Sequence, residues 1–154
     1  DAFWTIQEHY PKENLYAALN LIGSHDRARV LTVLGGDVNA LKMAMFLQFA
    51  LPGVPSIYYG DEAGMTGGTD PYNRGSFPWG KGNAPLTDFV RSLTAMYQET
   101  PLRRGECEML FFGENVLGCR RFDESGSVLA LVNRGEEAVE CFGVTVPGRG
   151  YILE

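Results

Sequence analysis

Cysteine is scarce in this sequence. The 154 residues contain three, Cys107, Cys119 and Cys141, and no two of them form a Cys-x-x-C pair. An odd number without paired spacing argues against a disulfide framework and against a zinc site. We expect the three to be small apolar core residues in a reducing compartment, and hence a cytoplasmic protein, with metal binding or a redox role as the alternative.

Positive charge is also in short supply. Lysine and arginine number 13 against 19 aspartates and glutamates, which gives a net charge of −6. Nucleic acids and anionic membrane surfaces both require clustered cations, so neither is an expected partner. The sequence has no apolar run of membrane length, and its 45% hydrophobic content predicts a globular protein.

The most informative segment is Ala18–Asp26, Ala-Leu-Asn-Leu-Ile-Gly-Ser-His-Asp. Its apolar run, which we extend over Leu15–Ile22, predicts a buried parallel strand that ends in polar groups. The carboxyl ends of such strands carry the chemistry in barrel and open α/β folds, which makes Asp26 the first catalytic candidate. The alternative is that Asp26 caps a turn and His25 satisfies a buried backbone group.

A second strand is predicted at Pro55–Gly60, and acids follow it too, at Asp61 and Glu62. Between the two strands, Val38–Leu51 reads as a helix that begins after the N-cap residue Asp37. This helix is apolar almost all round, so we expect it to lie between two layers. Strand, helix and strand at this spacing predict a parallel crossover, and with it carboxylates on one shared rim.

A long irregular segment follows at Gly64–Gly82. It holds three aromatic residues together with an aspartate and an arginine: Tyr72, Phe77, Trp79, Asp70 and Arg74. Loops of this length in a compact domain are usually functional or disordered, and the aromatic content argues against disorder. Aromatic faces beside polar groups suit a sugar; the alternatives are a loop packed over a core, or a structural ion pair of Asp70 with Arg74.

Further helices and strands are predicted on either side of these segments. A short helical segment is expected at 2–9, and a longer helix from Pro85 that stops before Pro101. Period-two patterns then predict antiparallel strands at Glu106–Phe112, Asn115–Phe122, Ser127–Asn133 and Ala138–Phe142, with two more at Val144–Val146 and Tyr151–Leu153. The pattern changes near Thr100–Gly105, so we divide the chain into residues 1–100 and 101–154.

Three segments together resemble a known family. Leu19–Asp26 and Gly53–Glu62 resemble the strand-seven and strand-eight motifs of the alpha-amylase superfamily, glycoside hydrolase family thirteen, and Gly67–Arg74 resembles its sugar-contacting loop. Within the superfamily, the sequence of Asn20–Asp26 looks most like that of the neopullulanase, cyclomaltodextrinase and maltogenic amylase group. The chain departs from this group at Arg27–Arg29, Arg-Ala-Arg, where relatives often have Thr-Pro-Arg.

The resemblance implies an α/β part followed by an all-β part. Residues 1–100 would form the last two strand–helix units of a (β/α)8 TIM barrel, and residues 101–154 an antiparallel β-sandwich domain that stops early. A whole barrel takes about 250 residues. We therefore expect the C-terminal portion of a longer α-glucan-hydrolysing enzyme, with the N-terminal part of the barrel as its partner.

The resemblance also implies site roles. Asp26 matches the third carboxylate of the family, which bonds the ring hydroxyls of the sugar at the cleavage site and favours its distorted form. His25 would donate to the same hydroxyls, and Asp70 and Arg74 match positions that hold the next sugar on the non-reducing side. Asp61 and Glu62 match motif positions with a mostly structural role and are left out of the site. The nucleophile and the acid/base come from the fourth and fifth barrel strands, which this chain lacks. We therefore expect no hydrolase activity from the chain alone.

No cofactor is expected. Calcium could be held by Asp61, Glu62 and Asp70 only with further oxygen ligands from elsewhere. Two other functions stay open. The superfamily resembles in part the heavy subunits of amino acid transporters, which keep the barrel as a scaffold, and the β part could be a carbohydrate-binding module. The first strand would also lack a barrel neighbour, so self-association, and a homo-oligomer, are expected.

Overall fold

The computed structural model describes residues 9–98 and 100–154. Among these residues, helices prevail up to Arg104 and strands after it. The helices are α1 (Lys12–Ala17), α2 (Val30–Val33), α3 (Val38–Ala50), α4 (Ala84–Met96) and α5 (Thr100–Arg104). The strands are β1 (Leu19–Leu21), β2 (Val54–Ser56), β3 (Glu106–Phe112), β4 (Val116–Asp123), β5 (Gly126–Asn133), β6 (Val139–Cys141), β7 (Val144–Val146) and β8 (Gly150–Leu153). Apart from His9, the helix predicted at 2–9 lies outside the described residues.

β1 and β2 form a parallel pair with Leu19 opposite Val54, and α3 connects them. The predicted crossover is therefore confirmed, but both predicted strands were too long. The first was predicted over Leu15–Ile22, whereas its opening residues belong to α1, where Pro11 starts a helix of good helix formers. The second was predicted over Pro55–Gly60, whereas it ends at Ser56.

α3 lies between two layers, as its sequence predicts. Its N-cap residue Asp37 accepts a hydrogen bond from the backbone N–H of Ala40 at 3.0 Å. The helix packs against β1, β2 and α4, and also against β4, β5 and β8. Leu41, Met45 and Phe46 are at most 1% exposed. Because protein covers it on several sides, the helix can be apolar almost all round.

The second part of the chain is an antiparallel β-sandwich. One sheet has the order β3-β4-β5-β8, and β6 with β7 forms a separate hairpin. Residues of β5 alternate between two cores: Ala130 and Val132 pack in the α3 core, while Leu129 and Leu131 pack with the β6–β7 hairpin. All six predicted strands are present, with bounds within two residues of those predicted.

Strand β4 also bonds directly to the end of α3. The guanidinium of Arg121, fully buried, donates to the carbonyl oxygen of Ala50 at 2.7 Å and to that of Gly105 at 3.0 Å. The thiol of Cys119 lies 3.5 Å from the same Ala50 oxygen. A helix leaves its last carbonyls without partners, and here a cation from the sheet satisfies one of them.

The three cysteines are free thiols. Cys119 and Cys141 are buried and Cys107 is half-buried, which agrees with small core residues. The neighbouring Cys107 thiol and burial both raise the pKa of Cys119 above its ordinary value, and a protonated thiol is a poor nucleophile. Within the described residues, every helix falls short of the length and apolar character that a membrane crossing requires.

Candidate functional site

The carboxyl ends of β1 and β2 approach each other closely. Gly23, just beyond β1, is buried against Asp61, just beyond β2. A Cβ atom at Gly23 would lie 2.2 Å from the Asp61 Oδ2 atom, which is far inside van der Waals contact. A side chain at this position would have to displace the buried Asp61 carboxylate, and the residues that follow Gly23 leave the sheet beside those that follow β2.

His25 and Asp26 lie side by side in solvent at this end of β1. The His25 Nε2 and Asp26 Oδ1 atoms are 3.2 Å apart, and the side chains are 65% and 72% exposed. The backbone N–H of Asp26 donates to the hydroxyl of Ser24 at 3.3 Å. This exposure disagrees with the alternative in which His25 serves a buried backbone group, and leaves both side chains accessible to a ligand.

Asp70 and Arg74 form a second pair, and it lies beside the first. The Arg74 Nε atom is 3.0 Å from Asp70 Oδ1, and both side chains are about half exposed. The same Nε atom lies 3.4 Å from the carbonyl oxygen of His25. All four site residues predicted from the sequence therefore lie on one open surface, where two acids and two basic groups face solvent.

Asp61 is absent from this surface, unlike the shared rim of carboxylates that the strand pattern predicts, and its burial agrees with the mostly structural role that the resemblance implies. It is 2% exposed and pairs with the buried Arg29, whose Nη1 atom lies 3.1 Å from Asp61 Oδ1. The rings of Tyr58 and Tyr59 lie 4.2 and 4.6 Å from the guanidinium carbon. Burial raises the pKa of Asp61 above its ordinary value, although the Arg29 cation opposes this.

Asn73 connects the two exposed pairs, and sequence reasoning missed it. It is 1% exposed, and its Nδ2 atom donates to the carbonyl oxygens of His25 at 2.7 Å and Arg27 at 2.8 Å. Asparagine is common in turns, so its presence between Pro71 and Arg74 predicts only local structure. No local pattern marks its role, because its two acceptors lie 48 and 46 residues away along the chain.

Two aromatic rings of the long loop stand apart from these pairs. Phe77 and Trp79 have ring centroids 4.6 Å apart, and Trp79 is 83% exposed. With Tyr59 they line an open cavity of about 820 Å³ whose walls also include Thr87 and Arg91 of α4. Neither exposed pair lines this cavity, so the aromatic residues form a neighbouring surface.

The described residues contain no cluster of three or more histidine, cysteine, aspartate or glutamate side chains that is arranged to hold a metal ion. Of the three acids considered for calcium, Asp61 is committed to Arg29 and Asp70 to Arg74. Asp61 is buried with its carboxylate against a cation, whereas the Asp70 carboxylate keeps an exposed surface.

Comparison with known proteins identifies the family of the chain. The family described as Alpha amylase, catalytic domain, matches residues 2–104, which is more than half of the chain and includes both exposed pairs. The chain belongs to the alpha-amylase family. Its relatives in this family include a cyclomaltodextrinase of Geobacillus thermopakistaniensis, 41% identical over 145 residues, which cover 91% of this chain and 25% of that protein. A maltogenic alpha-amylase of Bacillus acidopullulyticus is 37% identical over 138 residues, with coverage of 85% and 24%.

Solved structures of the alpha-amylase family share the fold. The debranching enzyme of Nostoc punctiforme superimposes with a TM-score of 0.88 at 27% identity, over 98% of this chain and 38% of that one. The complex of the Arthrobacter globiformis cyclic alpha-maltosyl-(1→6)-maltose hydrolase with that sugar gives a TM-score of 0.81 at 34% identity, with coverage of 88% and 34%. The chain spans about a quarter of the length of the cyclomaltodextrinase and of the maltogenic alpha-amylase to which it is similar.

Proposed function

We propose that this chain is the C-terminal part of a retaining α-glucan-acting glycosidase that cleaves α-glucosidic bonds in maltooligosaccharides or cyclomaltodextrins. The observation that carries the proposal is the open surface on which His25 and Asp26 lie next to Asp70 and Arg74. It lies beyond the carboxyl ends of two parallel strands, where barrel enzymes bind their substrates. The names of the family relatives supply the substrate class.

Asp26 acts on the transition state in this proposal. Its carboxylate accepts hydrogen bonds from the ring hydroxyls of the sugar at the cleavage site, and the His25 imidazole donates to the same hydroxyls. These bonds strengthen as the ring flattens towards an oxocarbenium ion. Because they are worth more in the transition state than in the ground state, they raise kcat without any proton transfer through Asp26.

Asp70 and Arg74 bind the next sugar on the non-reducing side. The pair is exposed and its atoms are 3.0 Å apart, so a carboxylate acceptor and a guanidinium donor are both available to neighbouring hydroxyls. The exposed ring of Trp79 offers an apolar face for a further glucose unit. Polar groups and stacking surfaces together are what an oligosaccharide requires.

The remaining parts of the proposal concern the whole protein. Residues 1–100 belong to the barrel and 101–154 to the β-sandwich domain. Leu19 and Leu21 of β1 are 61% and 57% exposed, which supports a missing barrel partner on that face. The nucleophile and the acid/base come from that partner, so the chain alone does not hydrolyse glycosidic bonds. The three free thiols support a cytoplasmic location.

Release of reducing sugar from maltotriose and cyclomaltodextrin tests the function. We expect turnover by the full-length protein, a loss of about 100-fold or more in its Asp26→Asn variant, and none from the 154-residue chain. Saturable turnover by the chain that disappears in its Asp26→Asn variant would show that the other two carboxylates lie within these residues. A full-length protein that neither cleaves nor binds maltooligosaccharide would instead support a scaffold.

A further inference from the structure

Asn73 holds the backbone on both sides of Asp26. Its amide nitrogen donates to the carbonyl oxygens of residues 25 and 27, at 2.7 and 2.8 Å. Only the nitrogen of a side-chain amide carries two N–H groups, and both partners are carbonyl acceptors, so the orientation of the amide is determined. One carbonyl belongs to the His25–Asp26 peptide and the other to the Arg27–Ala28 peptide, so a single side chain holds the backbone on each side of Asp26.

The turn that carries Asn73 is itself firmly held. A Cβ atom at Gly67 would lie 2.2 Å from the carbonyl oxygen of Tyr72, so the two arms of the loop are in direct contact. The backbone N–H of Gly67 donates to the Thr32 hydroxyl at 2.8 Å, and its carbonyl oxygen accepts from the Arg29 N–H at 2.9 Å. The turn of Asn73 therefore packs against Gly67, and Gly67 is itself hydrogen-bonded to Arg29 and Thr32.

The amide of Asn73 is committed to this one task. The residue is 1% exposed, and its Oδ1 atom is buried without a hydrogen-bond partner. The hydrogen bonds that this side chain makes among the described residues are the two donor bonds, and both hold the His25–Arg27 segment.

We propose that Asn73 is a positioning residue for Asp26. The inference rests on the function proposed above and adds a residue that does not touch the substrate. By holding the backbone at residues 25 and 27, Asn73 keeps the Asp26 carboxylate in place beside the Asp70–Arg74 pair. Asn73 directly precedes Arg74 in the sequence. A displacement of about 1 Å at a catalytic group can cost about 100-fold in rate.

A double-mutant cycle in the full-length enzyme tests this role. We expect Asn73→Ala to lower kcat by about 10- to 100-fold with a smaller change in KM. Because Asn73 acts through Asp26, the same substitution in an Asp26→Asn background should lower kcat further by less than about threefold. Effects that multiply, or an Asn73→Ala variant with normal kcat, would overturn the proposal.

Asn133 provides a matched control. It is fully buried, and its Nδ2 atom donates to the carbonyl oxygens of Glu137 at 2.8 Å and Val146 at 3.3 Å, within the β-sandwich. Asn133→Ala removes bonds of the same kind away from Asp26, so we expect a lower midpoint of unfolding with unchanged kcat. Equal losses of kcat in the two variants, each assayed where circular dichroism shows it folded, would assign Asn73 a merely structural role.

Hydrogen exchange in the 154-residue chain separates this proposal from the proposed function. Asn73→Asp conserves size but directs oxygen atoms at two carbonyl oxygens. We expect it to speed exchange of the Asp26 and Arg29 amides, which are hydrogen-bonded to the Ser24 hydroxyl and the Gly67 carbonyl oxygen, by about tenfold or more. Asn133→Asp should leave the exchange of these two amides unchanged. Unchanged exchange in Asn73→Asp overturns the positioning role whatever the activity, whereas an inactive wild-type full-length protein overturns only the proposed function.

Discussion

Two carboxylates of this chain, Asp26 and Asp61, follow neighbouring strands and yet occupy opposite environments. The first has a 72% exposed side chain, whereas the second is 2% exposed and faces the buried guanidinium of Arg29. A buried ion pair loses the hydration of both partners and is stable only while both are present. The exposed acid is available for a substrate, and the buried one connects the segments that follow β1 and β2.

Substitution of the buried Asp61 should therefore lower the stability of the fold. In Asp61→Ala, the Arg29 cation stays buried without its partner, and we expect the free energy of unfolding to fall by about 3 kcal/mol or more. Urea denaturation followed by tryptophan fluorescence measures this change. Asp88→Ala is the control, because it breaks an exposed pair with Arg91 whose atoms are 2.6 Å apart, and it should leave the midpoint unchanged. Equal effects would contradict the structural role of the buried pair.

The stability of the chain should also depend on pH through Asp61. Burial raises the pKa of this carboxyl in the folded state above its ordinary value of 3.8, so the folded protein binds the proton at a higher pH than the unfolded chain. Stability gained from this group appears as the pH falls through the raised pKa and is complete below 3.8. The stability difference between wild type and Asp61→Asn should shift in favour of wild type from pH 7 to pH 4. A constant or opposite trend would contradict this expectation.

At the level of residues, the sequence identifies the exposed groups more readily than the buried ones. His25 and Asp26 stand out because polar residues end an apolar run, and Asp70 and Arg74 stand out within an aromatic loop. Asn73 gives no such signal, since its importance depends on which carbonyl oxygens the fold brings to it. The burial of Asp61 depends likewise on the tyrosine rings that pack over its partner.

Among the elements, strand β4 has the tightest packing requirement. Gly118 lies opposite Leu110 and Leu131 in the sheet, and a Cβ atom there would lie 1.9 Å from the carbonyl oxygen of Ala130. The neighbouring backbone belongs to β5 and is held by hydrogen bonds on both sides, so it cannot move away at low cost. The sheet can form in this register only if position 118 has no side chain.

We therefore expect Gly118→Ala to destabilise the chain by about 2 kcal/mol or more. Gly68→Ala is a matched control, because a Cβ atom at Gly68 meets nothing within 4 Å. Its free energy of unfolding should stay within about 0.5 kcal/mol of wild type. Thermal and urea unfolding measure both variants, and an unaffected Gly118→Ala would show that β5 can move aside.

Element types follow from the sequence more closely than element ends. The period-two pattern predicts β3 to β8 almost residue by residue, because one face of each strand is buried and the alternation is visible. β1 and β2 were overestimated, since a short apolar strand and an apolar helix look alike in sequence. The helical turn at Leu15–Ala17 depends on Pro11 and on contacts such as the Tyr16 hydroxyl to the Gly105 carbonyl oxygen, at 2.8 Å.

At the scale of the whole molecule, the two-stranded β1–β2 sheet has one uncovered apolar face. Leu19 and Leu21 of β1 are exposed, and Val54 of β2 is 41% exposed. Asn20 is directed the other way and donates to the carbonyl oxygens of Gln48 and Pro52 at 3.2 and 3.0 Å. Parallel strands are normally covered on both faces, so this face is suited to further strands of a barrel.

The 154-residue chain should consequently self-associate in solution. Exposed apolar strands with open edges favour pairing between copies, and we expect the mass from light scattering to rise with protein concentration. Leu21→Lys places a charge on the uncovered face and should shift the distribution towards monomer. A clean monomer at all concentrations would contradict this expectation.

The bond from Arg121 to Ala50 has a consequence for synthesis on the ribosome. The acceptor is made 71 residues before its donor, and a chain emerges with its N-terminus first. The Ala50 carbonyl oxygen at the end of α3 therefore lacks its Arg121 donor until β4, the second strand of the sandwich, has been translated. Final closure of the helical part thus depends on the strands made after it, although folding generally proceeds from the N-terminus.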